Sequence, residues 1–153
     1  MQNDITTRIA EPEDAARITE FNKRMAKETE GKVLDRDILK KGVDAVFKNP
    51  ARGFYMVGEV RGHVAGCLLV TTEWSDWRNG QFWWIHSIYV EPEFRRKGVF
   101  KTLYEAAKEQ AGQAEETVCG FRLYVERENV RAQNTYAKVG MTETGYKMLE
   151  TLF

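Results

Sequence analysis

Ile5, Thr7 and Ile9 alternate with polar neighbours, a period of two that predicts a first strand. The period then lengthens to that of a helix. Pro12 sets the first turn, Glu13 and Asp14 complement the helix dipole there, and Ile18, Phe21 and Met25 form the buried stripe. The run Glu28-Thr29-Glu30-Gly31-Lys32 closes that helix. Asp35 is placed to cap a second one with the apolar face Leu39, Val43, Val46 and Phe47, until Asn49-Pro50 stops it. Residues 54–60 and 64–73 read as an antiparallel hairpin around Arg61-Gly62-His63. A polar loop bearing Trp74 and Trp77 runs to Gly80 and leads into a central strand over 82–90. Val99, Leu103, Ala106 and Ala107 mark a helix from Gly98 to about Gly112. A strand over 118–126, a short helix from Asn129 to Val139 closed by Gly140, and a last strand over 142–153 complete the pattern. The runs GCLLV and FWWI are too continuous for a sheet with one wet face, so helices are expected on both sides. The fold class that follows is α/β (α+β).

At 153 residues the chain is long enough for one ordinary domain, 1–153, and shows no linker or repeat. Its 23 basic and 23 acidic residues cancel, so no net field draws it to nucleic acid or a membrane surface, and charge must act locally. Cys67 and Cys119 sit in apolar, strand-like runs without metal-type spacing, which predicts small buried side chains in a reducing compartment and no metal. The N-terminal stretch lacks the apolar core of a signal peptide, and no run approaches membrane-spanning length, so a cytoplasmic location is expected.

Local preference is broken at one place. A helix start favours acids, because its four free N–H groups carry partial positive charge. Here Arg95, Arg96 and Lys97 precede the helix that Gly98 opens. An anion resolves the conflict: Gly98 lets backbone amides close on a phosphate while the cations neutralise it. A solvated basic turn satisfies the same pattern. Neither GxxxxGK(S/T) nor GxGxxG is present, so the P-loop and dinucleotide readings do not apply.

The loop Arg95-Arg96-Lys97-Gly98-Val99-Phe100 resembles the acyl-coenzyme A signature of the GNAT superfamily of N-acetyltransferases, Gln/Arg-x-x-Gly-x-Gly/Ala. Phe100 stands where that family has Gly or Ala, so its side chain must turn away from the loop for the cradle to form. A second block, Asn129 to Met141, is similar to the family pattern Asn-x-x-Ala-x-x-x-Tyr-x-x-x-Gly-Phe/Met, with Ala132, Tyr136 and Gly140 in place. Both blocks and the element order extend the likeness over nearly the whole chain. It implies a mixed, mostly antiparallel sheet with splayed central strands and acetyl-coenzyme A as co-substrate. By the same resemblance, Ile88, Tyr89 and Val90 hold the pantetheine arm and substrate acetyl, and residues Arg95 to Lys101 hold the pyrophosphate. Asn129 helps hold the cofactor, Tyr136 protonates the departing thiolate, and the backbone N–H of Ile88 faces the oxyanion.

An alkyl amine is mostly charged at neutral pH, since its pKa is about 10, so attack on a thioester needs a base. His86 is the first candidate, at the position where related diamine acetyltransferases carry a glutamate; a core histidine bonded to backbone is the alternative. Glu73 is the second candidate, directly or through water. Glu28, Glu30, Glu73 and Asp76, with the aromatic faces of Trp74 and Trp77, are read as surroundings for a cationic small amine or polyamine, as in the small-amine branch that MAKETEGK and TTEWSDW resemble. Solvated acids and loop-anchoring aromatics are the plain alternative. Two rival functions remain at this point: acetylation of a lysine or N-terminal peptide, and a non-catalytic acetyl-coenzyme A sensor. A homodimer would follow family habit.

Overall fold

Local signals set the helix ends. In the computed structural model, which describes residues 4–153, Gly31 takes the left-handed conformation (φ 64°) that closes α1 (Ala15–Glu30). The Asp35 carboxylate accepts from the N–H groups of Asp37 (2.9 Å) and Ile38 (3.1 Å) to open α2 (Arg36–Lys48). A short 3-10 turn, Pro12–Asp14, joins β1 (Ile5–Ile9) to α1. There Arg8 donates to Asp14 at 2.7 Å and to Glu59 at 2.7 Å, tying β1 to the helix start and to the next strand.

The remaining strands are β2 (Phe54–Val60), β3 (His63–Ser75), β4 (Gly80–Val90) and β5 (Val118–Arg122), in the order β1-β2-β3-β4-β5. The first four pair antiparallel and β5 joins β4 in parallel, as a mixed sheet requires when a helix crosses over between them. That crossover is α3 (Val99–Gly112); α4 (Val130–Lys138) follows β5. One sheet face buries Leu68, Val70, Trp83 and Ile85 against Val99, Leu103 and Ala107 of α3. The other buries Val57, Cys67 and Tyr89 against Ile18 and Phe21 of α1 and Val43 of α2. Both faces are thus covered, which accounts for the continuous apolar runs. Gly58 and Gly66 let α3 seat closely. A Cβ at Gly66 would lie 2.6 Å from the Tyr89 carbonyl oxygen and 3.3 Å from Val99, and one at Gly58 3.1 Å from Val99.

The structure corrects four expectations. Strands β3 and β4 run further into their hairpin, including Trp74 and Gln81, and the turn covers only 76–79. The strand expected over 118–126 stops at Arg122 because β4 and β5 diverge beyond Trp84. Cys119, expected inside, is exposed on β5, while Cys67 is buried. Residues 142–153 are exposed throughout and form no strand. Apolar side chains alternate onto both sides of that segment, so a strand there needs cover on two faces, and no element among the described residues covers it.

Candidate functional site

The site grows from the point where the sheet opens. β4 and β5 pair only through Gln81↔Val118, Phe82↔Gly120, Trp83↔Phe121 and Trp84↔Arg122. From Ile85 to Val90 the β5 side of β4 has no strand partner. On its other side the register passes from Leu69↔His86 to Cys67↔Tyr89, so Leu68 stands opposite both Ser87 and Ile88. Such a bulge needs one residue out of the extended conformation, and Ser87 supplies it at φ 51°. Ile88 therefore has no register partner on either side. A left-handed non-glycine residue costs on the order of 1–3 kcal/mol, and such strain concentrates at functional sites.

At the end of β4 the chain makes a 3-10 turn, Pro92–Phe94, and reaches the basic loop. Arg96 (φ 63°) and Gly98 (φ 93°) are both left-handed, and Gly98 caps α3 with no side-chain acceptor. The helical ladder begins with Thr102 N–H on Gly98 O, at 2.9 Å, so the amides of Val99, Phe100 and Lys101 are the free N–H groups of a helix start. Alternating backbone conformations of this kind make an anion-binding nest. Arg96, Lys97 and Lys101 make no ion pair among the described residues. Arg95 is spent otherwise: its Nε donates to Val90 O at 2.8 Å, and its guanidinium holds Glu28 at 2.7 Å and lies over the Tyr89 ring. Arg95 thus fixes the loop to β4 and α1. Phe100 packs against Tyr104, one turn along α3, and against Tyr136 of α4, with ring centroids 5.8 and 5.6 Å away. Its ring flanks the helix rather than filling the loop, so the departure from glycine leaves the amides open.

Tyr136 is half-buried, its hydroxyl makes no hydrogen bond to a described residue, and burial pushes its pKa up to about 12. It is therefore a neutral phenol with a free O–H. Asn129 caps α4, its side-chain oxygen accepting from Ala132 N–H at 3.2 Å, which leaves its NH₂ for other partners.

On the α1/α2 face, the His86 ring stacks on Trp84 (6.1 Å, 10°) and meets the edge of Tyr124 (5.8 Å) across the open sheet. Nε2 lies 2.8 Å from Thr71 Oγ1. If Nε2 donates to that hydroxyl, Nδ1 is a free base. Burial lowers the pKa of His86 from 6.5, so it is neutral at pH 7. Two strand positions along, Glu73 accepts from Trp84 Nε1 (2.8 Å) and Arg122 (3.1 Å), and Arg122 also covers the Phe82 ring at 3.6 Å.

A cleft of about 310 Å³ lies between the end of α1 and the loop after β5, lined by Glu28, Thr29, Glu126, Glu128, Asn129, Val130 and Arg131. Burial alone would raise the pKa of Glu28, but hydrogen bonds from Arg95 and Tyr89 outweigh it and hold the group ionised. Glu126, Glu128 and Arg131 are site residues the sequence reading passed over; their helix-flanking charge carried no distinguishing signal. The structure does not assemble the rest of the expected amine cage. Glu30 pairs with Lys32 at 3.1 Å, Asp76 accepts from the adjoining Trp77 N–H, and Trp74 and Trp77 are 54% and 86% exposed at the β3–β4 hairpin. That hairpin is at the opposite end of β4 from the splay. His63, Glu91 and Glu93 form a group of metal-type donors, but Arg17 already occupies it, 2.7 Å from Glu91 and 2.8 Å from His63.

Residues 15–141 match the family model described as the acetyltransferase (GNAT) family. A possible acetyltransferase from Clostridium difficile 630, known from its crystal structure, is 45% identical, with 97% of each chain covered and a TM-score of 0.89. An uncharacterized N-acetyltransferase of Archaeoglobus fulgidus is 36% identical over 83 residues; the match spans 54% of this chain and about half, 55%, of that relative. A protein of Clostridium acetobutylicum described as a predicted acetyltransferase and solved with acetyl-CoA shares the fold at 16% identity, with 96% of each chain covered and a TM-score of 0.78. The opened sheet, the amide loop and these likenesses agree, and the chain belongs to the GNAT acetyltransferase family.

Proposed function

We propose that this protein transfers the acetyl group of acetyl-coenzyme A to a primary amine, by direct attack in a ternary complex, and that the acceptor is a small amine or polyamine. The observation that carries the reaction is the pairing of a bulged, unpartnered stretch of β4 with a bare helix start nine residues after Tyr89. A pyrophosphate fits the free amides of Val99, Phe100 and Lys101, with Arg96, Lys97 and Lys101 as counter-charges. An amide-bearing pantetheine arm fits the unpaired edge of β4 from Ile88 to Val90 as an added strand. The thioester supplies an activated acyl carbon and a thiolate leaving group.

His86, neutral and half-buried, takes the proton of the attacking amine as the C–N bond forms. The Ile88 N–H, on the stretch of β4 where that residue has no register partner, faces the oxyanion. Tyr136 donates its O–H to the sulfur as the C–S bond breaks. With the phenol at about 12 and a thiol near 8.5, complete transfer from Tyr136 is uphill by roughly 5 kcal/mol. Its role is then a hydrogen bond to the developing thiolate, and the final proton comes from the amine side or solvent. Cys67 is no rival nucleophile, being buried with its thiol pushed up to about 12.

Support for a cationic small acceptor comes from the cleft, where the carboxylates of Glu28, Glu126 and Glu128 outnumber by one the guanidiniums of Arg131 in its lining and of Arg95 bound to Glu28. The test is thiol release from acetyl-coenzyme A with diamines, polyamines, amino acids and lysine peptides. Release with free amines is expected. Release only with peptides would overturn the acceptor, and saturable cofactor binding without release to any amine would replace the enzyme by a sensor.

A further inference from the structure

Part of the sheet face that carries His86 lies outside the core beneath α1 and α2. That core takes in Tyr89 of β4, whereas Trp84 and His86 stay half-buried and Tyr124, beyond β5, is 63% exposed. The three rings stack or meet edge to face, with centroids 5.8–6.3 Å apart. They make an aromatic floor that starts at the proposed base. Phe82 continues the stripe, buried beneath the guanidinium of Arg122 at 3.6 Å.

An ion pair closes the far end of the floor. Glu73 accepts from Arg122 Nη1 at 3.1 and 3.3 Å and from Trp84 Nε1 at 2.8 Å. Partly exposed pairs of this kind add little to stability, so a structural brace is a weak account of it. Both members keep binding capacity. Arg122 Nε and Nη2 donate to no described residue, and Glu73 Oε2 accepts only the 3.3 Å bond. The two side chains are 24% and 42% exposed, so a ligand can reach both. One charge of each sign, held side by side, matches a ligand head that also carries one of each.

We infer that Glu73 and Arg122 select the acceptor, a basic α-amino acid whose zwitterionic head lies on this pair, carboxylate to Arg122 and ammonium to Glu73, while its side-chain amine reaches His86. The inference rests on the acetyl-transfer reading and narrows its class of small amines. Arg122 stands opposite Trp84, two residues before His86, which is about 7 Å along the strand. The side chain of lysine, from its α-carbon to its amine, spans about 6 Å. Its methylenes lie over the Trp84 and Tyr124 rings, as the stems of long cations do on apolar surface. The C–N bond forms at that amine, the C–S bond breaks, and the amine's proton passes to His86. A plain diamine would leave the free donors of Arg122 unmatched, and an amino acid without the α-ammonium would do the same to Glu73. Unmatched polar groups are what let a site reject a close analogue strongly.

The test measures kcat/KM by thiol release with lysine, with cadaverine, which lacks the carboxylate, and with ε-aminocaproate, which lacks the α-ammonium. The parent is compared with Arg122→Gln and Glu73→Gln. Glutamine keeps a stem over Phe82 at one position and an acceptor for Trp84 Nε1 at the other, so both variants should fold, which circular dichroism checks. In the parent, lysine should lead both analogues by about tenfold or more. Arg122→Gln should bring lysine to within about threefold of cadaverine, and Glu73→Gln should bring it equally close to ε-aminocaproate. Cadaverine equal to or better than lysine in the parent, or a lysine preference untouched by both variants, would overturn the inference and leave acetyl transfer standing. Calorimetric titration of lysine into the coenzyme A complex reads the same subsite without turnover. Saturable binding that both variants weaken about tenfold, with no thiol release to any amine, would keep the subsite and overturn the reaction. No binding together with no release would overturn both.

Discussion

Gly98 is the residue at which fold and cofactor binding can be separated. It sits at φ 93°, caps α3 and offers no side chain between the free amides and an anion. Replacing it by alanine forces a Cβ into a left-handed conformation, at a cost of about 1–2 kcal/mol. Glutamate bears the same strain, but its charge complements the helix start and returns about 0.3–1 kcal/mol to the fold. Against a phosphate the charge acts in the opposite sense. One carboxylate about 5 Å from one phosphate charge, at an effective dielectric of about 20, is repelled by about 3 kcal/mol, or roughly 200-fold in Kd. Stability and affinity should therefore rank the two variants in opposite orders: Gly98→Glu at least as stable as Gly98→Ala, yet binding acetyl-coenzyme A roughly 200-fold more weakly. Calorimetric titration and thermal unfolding measure the two quantities, and the affinity gap should narrow at high salt as charge is screened. Equal affinity of the two variants at low salt would refute the placement of the phosphates.

Three further substitutions probe separate parts of the account. Tyr136→Phe should lower kcat by roughly 10- to 100-fold through loss of a hydrogen bond to a charged sulfur, with cofactor affinity unchanged; unchanged kcat in steady-state assays would remove that role. His86→Ala should lose on the order of 10²- to 10⁴-fold in rate and the acidic limb of the pH–rate profile, which in the parent protein should fall below pH 6.5 because burial depresses the imidazole. Its folded value lies under the unfolded one, so the parent should also lose stability as pH drops from 6.5 towards the folded value, and the variant should lack that component. Asp14 is held below its usual 3.8 first by the hydrogen bond from Arg8, against burial and with help from the Glu11 N–H. Asp14→Asn should cost about 1–3 kcal/mol at neutral pH. That gap should close as pH falls from the unfolded value through the folded one, which denaturant titrations at pH 7 and pH 2 can follow.

What was legible in the sequence was local. The Asp35 cap, the Gly31 stop and the cations before Gly98 each announce themselves within a few residues, because capping and helix dipoles act over one turn. The doubly covered sheet was legible for a related reason: period and run length report burial directly. The bulge was not, since Ser87 turns only because β3 lies one residue out of step with it. Arg95 looked like a phosphate ligand until the fold brought Glu28 to it from 67 residues away. Trp77 looked like part of a cation cage because sequence proximity to Glu73 says nothing about which end of a hairpin it occupies. The segment 142–153 alternates as a strand does, and no described strand pairs with it.

Amide hydrogen exchange with and without acetyl-coenzyme A tests the central claim most directly, because it reads the backbone groups to which the account assigns the work. Protection confined to residues 88–90 and 98–101, with the β3–β4 hairpin unchanged, is the expected result. Binding that leaves those amides unprotected, or protects a different edge of the sheet, would contradict it.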